Sequence, residues 1–101
     1  MRVIFSAKAE QDLHSLSEYI GNNLHNVIAA HNIVEKLLRL SQKLSTFPEM
    51  GASLKTVDSR LGGFRYLIAD NYILIYKIAD EEVSIVRILY AKSNYVHLLQ
   101  G

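Results

Sequence analysis

Two arginines are set in runs of residues that otherwise favour burial. Arg65 lies in Phe64-Arg65-Tyr66-Leu67-Ile68, and Arg87 in Ile85-Val86-Arg87-Ile88-Leu89-Tyr90. A guanidinium among Tyr, Leu and Ile is costly to bury unpaired. It also matches the oxygens of phosphate two at a time. Two such groups on neighbouring strands therefore point to a surface that handles anions. Asp58, Asp70 and Asp80 offer a plainer alternative, ion pairing at the sheet edge, and stacking on tyrosine is another.

The elements that would position these groups follow from spacing. Val3-Ile4-Phe5 reads as a short strand, and Ser6 has the hydroxyl of a helix N-cap. Ala9, Leu13, Leu16, Ile20 and Leu24 recur at three and four residues, one apolar stripe on a first helix that Gly21-Asn22-Asn23 weakens near its end. Asn26 is a second cap. Ala30, Ile33, Leu37, Leu40, Leu44 and Phe47 form the stripe of a second helix, widened by Val34 and Leu38, and Pro48 ends it. Residues 51–61 have little pattern and predict a loop or a ragged strand. Three β-type runs follow, 62–68, 72–78 and 83–90, and then a short polar tail. The order β-α-α-β-β-β predicts an α+β domain, an antiparallel-rich small sheet with a two-helix hairpin packed on one face.

Strand parity then assigns faces. If Asp70-Asn71 is a two-residue hairpin loop, Ala69 faces Tyr72, Leu67 faces Leu74, and Arg65 faces Tyr76. That side carries Arg65, Leu67, Tyr72, Leu74, Tyr76 and Ile78. An even loop at Asp80-Glu81-Glu82 adds Val83, Ile85, Arg87 and Leu89 to it; an odd loop sends Arg87 to the other face. The other side, with Phe64, Tyr66, Ile68, Ile73, Ile75, Val86 and Ile88, is almost wholly apolar and is expected to meet the helices. The arginine side is itself mostly apolar, so either the chain or a partner must cover it. The expected partner surface is Tyr72, Leu74, Tyr76 and Leu89.

Composition sets the outer bounds. With 101 residues, half of them hydrophobic, a single domain over 1–101 is expected. Formal net charge is +1, spread evenly, so the chain has no basic tail and no strong nucleic-acid footprint. It contains no cysteine, which removes disulfide and thiolate chemistry. The first apolar run is too short for a signal peptide, and no stretch approaches the roughly 20 apolar residues that span a bilayer. A cytoplasmic protein with no membrane contact is expected. His14, His25 and His31 form no metal-ligand spacing, and His97 reads as a surface residue; no metal and no cofactor is expected.

The run Gly63-Phe64-Arg65-Tyr66 to Tyr76, followed by Val86-Arg87-Ile88-Leu89-Tyr90-Ala91-Lys92-Ser93-Asn94-Tyr95, resembles the RelE/ParE toxins of type II toxin–antitoxin systems. Phe47-Pro48-Glu49-Met50-Gly51 after a helical hairpin resembles them too, and the likeness covers essentially the whole chain. The resemblance implies a toxin held inactive by a cognate antitoxin wrapped over its surface, with operator DNA bound only through that antitoxin. It implies one of two targets. A RelE-like member cuts mRNA on the ribosome, without metal. A ParE-like member poisons DNA gyrase. For RNA cleavage, Arg65 and Arg87 would hold the phosphate, and Tyr90, Lys92 and Tyr95 are the groups available for proton transfer. Their ordinary pKa values lie near about 10, so strong perturbation would be needed. Many members carry histidine where this chain has Tyr90. That departure, the near-neutral charge and the long hairpin lean toward the gyrase branch.

Overall fold

The computed structural model describes residues 1–100, apart from the side chain of Gln100. Strand β1 (Arg2–Phe5) leads into helix α1 (Ala7–Glu18). Ser6 caps that helix, its hydroxyl accepting from the Ala9 amide at 3.0 Å. The helix continues as one wider π-helical turn, Tyr19–Asn23, closed by the Leu24 amide donating to the Tyr19 carbonyl. Asn26 then starts α2 (Val27–Lys43), accepting from the Ala29 amide. A two-residue strand β2 (Ala52–Ser53) and two single turns of 3₁₀-helix, Leu54–Thr56 and Ser59–Leu61, occupy the stretch that had no pattern. Strands β3 (Arg65–Ala69), β4 (Tyr72–Ala79) and β5 (Glu82–Tyr90) form the meander, and a short helix α3 (Tyr95–Gln100) follows. The fold is α+β. Its five strands lie in the order β1-β5-β4-β3-β2, antiparallel except for the β1–β5 pair.

The first hairpin has the expected register: Ala69 opposite Tyr72, Leu67 opposite Leu74, Arg65 opposite Tyr76. The second loop has two residues, Asp80-Glu81, both with the positive φ of a tight hairpin turn. Ala79 pairs with Glu82, Ile78 with Val83 and Tyr76 with Ile85. Up to Ile85 the even-loop reading holds. Then the ladder slips. Ile75 pairs with Arg87, not Val86, so Val86 is the extra residue of a β-bulge. One added residue reverses every face after it. Arg87 and Leu89 start on the side of Ile75 and Ile73, while Ile88 joins Leu74.

The faces therefore differ from the parity reading in two ways. The side holding Leu67, Ala69, Leu74, Tyr76, Val83 and Ile85 is the one the helices cover, packed with Ala9, Leu16, Ile33, Leu37 and Leu44. Its low polarity reflects burial by the chain's own hairpin. The opposite side, with Ile73 and Ile75, is sealed by Leu54 and Leu61 of the 3₁₀ turns and by Tyr95, Val96 and Leu99 of α3. The segment after Tyr90 is thus partly a helical cover over a second small core. The apolar stripes of the hairpin mostly reach the core, but Leu24 and Phe47, at their ends, remain exposed.

Two polar clusters tie the layers together. The Tyr76 ring is fully buried, and its hydroxyl accepts from the Gly51 amide (2.9 Å) and donates to the Pro48 carbonyl (2.7 Å). Arg65 donates to the Gly51 carbonyl (2.8 Å) and more weakly to that of Glu49 (3.3 Å). A side chain at Gly51 would place its Cβ 2.6 Å from the Tyr76 hydroxyl and 2.7 Å from the Tyr66 carbonyl, so only glycine fits. The second cluster stands at the bulge. Beyond Phe5, β1 no longer covers the edge of β5. There the Ser6 hydroxyl donates to the Val86 carbonyl (2.8 Å). Asp12 of α1 accepts from the Ile88 amide (3.0 Å) and from the Arg87 guanidinium twice (2.7 and 2.9 Å). A side chain thus substitutes for the missing strand.

Each cluster gives an expected outcome. Burial pushes the Tyr76 phenol above its ordinary value, opposed by the Gly51 amide and the nearby Arg65 charge. Below about pH 10 folded and unfolded chains both keep this proton. Above it the unfolded chain releases the proton first, so stability should fall as pH rises past that point. Tyr76→Phe should flatten that alkaline slope while costing about 1–3 kcal/mol at pH 7, because two backbone groups lose their partner; urea unfolding from pH 7 to 11 measures both. Asp12→Ala should cost about 2–4 kcal/mol by the same method, since it strands a mostly buried guanidinium and the Ile88 amide. The double change Asp12→Leu with Arg87→Met should recover much of that loss.

Candidate functional site

The residues singled out by chemistry do not assemble into one anion site. Arg65 projects from the helix-covered face and is held by carbonyls of the turn after α2. Arg87 starts from the opposite face, beyond the bulge, and wraps round the strand edge to Asp12. This corrects the shared-face reading: parity alone runs straight through a bulge. The Arg87–Asp12 pair is mostly buried, with side chains 17% and 13% exposed. The Asp12 carboxylate, through its hydrogen bonds, holds the guanidinium above its already high ordinary value. The partner is an aspartate on α1, not Asp58, Asp70 or Asp80. Of those three, Asp58 pairs with Arg60 and Asp70 with Lys36.

Tyr90, Lys92 and Tyr95 also diverge. Tyr95 packs into the second core beside Phe64 and Tyr66. Lys92 is exposed, and Tyr90 is 45% exposed across the strand pair from Tyr72. Of the expected partner surface, Leu74 and Tyr76 are wholly buried beneath the helices and offer nothing to a second protein. Tyr72 and Leu89 do reach a surface, but a different one.

That surface is a groove of about 650 Å³ at one end of the molecule. Asn71 of the hairpin turn, Tyr72 at the start of β4 and the end of β5 (Ile88, Leu89, Tyr90) form one wall. The end of α1 (Asp12, Ser15, Leu16), Tyr19 of the π-helical turn, and Leu24 form the other. Tyr72 and Tyr90 meet edge to face, ring centres 6.1 Å apart. Burial pushes the Tyr72 phenol above its ordinary value, and the neighbouring phenols of Tyr19 and Tyr90 push it the same way. Tyr19 is the first residue of the wider π-helical turn, and such turns recur at functional positions. Sequence reasoning missed Tyr19, Leu24 and Ser15. The local signal was the failing helix at Gly21-Asn22-Asn23, but nothing local places it beside β5.

Among the described residues, no group of three or more His, Asp or Glu side chains is placed to hold a metal ion, and no helix is long and apolar enough to cross a membrane.

Comparison with known proteins places this geometry. The toxin–antitoxin system ParDE from the chromosome of P. aeruginosa contains a chain with the same fold. The TM-score is 0.76 at 20% identity, over 91% of this chain and 97% of that one. The toxin–antitoxin complex RelBE2 from Mycobacterium tuberculosis contains another similar chain, with a TM-score of 0.65 and 26% identity over 88% of this chain and 95% of that one. No curated protein matches the chain. The family model for the ParE toxin of the type II toxin–antitoxin system parDE matches residues 3–95, from β1 to the first residue of α3. The chain therefore belongs to the ParE toxin family of type II toxin–antitoxin systems.

Proposed function

We propose that this toxin is held inactive by a cognate antitoxin and, once released in the cytoplasm, stops growth by poisoning DNA gyrase. The observation that carries this reading is the disposition of the arginines. Cleaving RNA through its 2′-hydroxyl requires cations that converge on one phosphate, with an acid and a base on either side. Arg65 and Arg87 leave opposite faces of the sheet, and both are engaged in holding the fold together. Tyr95 is packed in a core, and Lys92 lies exposed beyond β5. A poison that acts by binding needs no such convergence. Membership of the ParE family supports the same branch.

The antitoxin surface that suits this geometry is the groove at the end of α1. Tyr72 and Leu89 border it, together with Tyr19, Leu24 and Tyr90. Operator DNA would then be reached through the antitoxin, since the chain is almost neutral. The likeness to the chain of RelBE2 favours a second reading, ribosome-dependent mRNA cleavage with Arg65, Arg87, Tyr90, Lys92 and Tyr95 regrouped on the ribosome.

Two assays on the purified toxin separate these readings. In a gyrase reaction we expect loss of supercoiling and trapped cleaved DNA, both reversed by adding the antitoxin. In an in-vitro translation reaction we expect intact mRNA. Position-specific mRNA cuts with unaffected gyrase would overturn the first reading in favour of the second.

A further inference from the structure

The junction between the two long helices leaves large apolar side chains open to solvent. Val27 is 72% exposed and Ile28 76%, and Tyr19 and Leu24 are each more than half exposed. No Asp, Glu, Lys or Arg occurs from Tyr19 to Val34, although 21% of the whole chain is charged. The tip of the hairpin is therefore an apolar surface bare of acidic and basic side chains other than His25 and His31. The fold does not account for it. Val27 and Ile28 are the first two residues of α2 and belong to neither core. Branching at Cβ lowers helix propensity. The start of a helix favours acidic side chains, and α2 has none in its first turn. Two exposed β-branched residues here gain nothing from propensity, dipole or burial within the chain. Burial against a second surface supplies that gain.

The missing charge and the neighbouring amides choose the occupant. A partner that recognised charge would find none to answer it. Surfaces related by a two-fold axis bring each residue near its own counterpart, so a charge there would meet its like. Asn22 and Asn23 precede the apolar residues, and Asn32 lies one helical turn beyond Ile28; all three are exposed. An amide is both donor and acceptor, so each can pair with the same amide of another copy. Two tips face to face, amides included, approach the roughly 1,000 Å² of total buried surface that a specific interface needs. We propose that two copies of the free toxin associate through this hairpin tip as a symmetric dimer, with Val27 and Ile28 at the centre of the contact.

Sedimentation equilibrium of the purified toxin at pH 7 tests this directly. The mass should rise with concentration, reaching twice that of a single chain in the micromolar range. Ile28→Glu should weaken the association by about tenfold or more, because it sets two carboxylates against each other. A carboxylate suits the first turn of α2, so the fold should hold, and thermal unfolding checks that it does. Gln42→Glu, exposed near the far end of the same helix, should leave the mass unchanged. A second measurement introduces no charge. The chain contains no cysteine, so Ile28→Cys supplies a single thiol. A short bismaleimide should join two such chains much faster than it joins two copies of Gln42→Cys. A wild-type toxin that keeps the mass of one chain up to millimolar concentration would overturn the proposal. So would a dimer that Ile28→Glu leaves intact, or cross-linking no faster from position 28 than from position 42.

Discussion

The carboxylate of Asp12 at the edge of β5 is the contact on which the rest of the arrangement turns. A four-residue β1 cannot cover a nine-residue β5. Past Phe5 the outer edge of β5 would be left with unpaired amides and carbonyls next to an apolar core, a costly condition. The chain closes that edge with side chains. Ser6 serves the Val86 carbonyl while capping α1, and Asp12, further along the helix, serves the Ile88 amide and the Arg87 guanidinium. The first helix is thereby fixed to the sheet at the point where the strand ladder slips.

The slip has consequences at both ends of β5. Because Val86 is the extra residue, Ile88 turns inward beneath the helices and Leu89 turns to the other face. Tyr90 then stands opposite Tyr72 at the rim of the groove, next to the end of α1 that Asp12 has docked. The added residue thus decides which face Arg87, Ile88 and Leu89 start from. The other polar cluster is separate from this. Tyr76 and Arg65 hold the turn after α2 against β3 and β4, which sets the hairpin's far end and engages Arg65 with the Gly51 and Glu49 carbonyls.

Much of the architecture was legible in the chain. The serine and asparagine caps, the two stripes and the Asp70-Asn71 loop are local signals, each settled by a few neighbouring residues and by backbone geometry. They were found in place. The expected stop at Pro48 was not reached, because α2 ends at Lys43 and turns carry the chain on to the proline. The register of the first β-hairpin followed from its loop alone. The face assignment failed for two different reasons. Both sides of this sheet are apolar, so polarity could not say which one the helices would cover; the hairpin took one, and the 3₁₀ turns with α3 took the other. The bulge at Val86 has no sequence signature, because Val86 is as good a strand residue as its neighbours. It arises where β1 ends and α1 must pass over the edge.

By itself, then, the amino-acid order determined the elements, their sequence along the chain, and a likeness to a toxin family carried by motifs in a specific order. Those depend on contacts between residues close in the chain. Which aspartate would neutralise Arg87, whether two arginines would meet, and which tyrosines would share a groove were decided only by the folded molecule. Asp12 and Arg87 are 75 residues apart. No periodicity reaches that far, and a shift of one residue in a single strand is enough to put two similar side chains on opposite sides of a sheet.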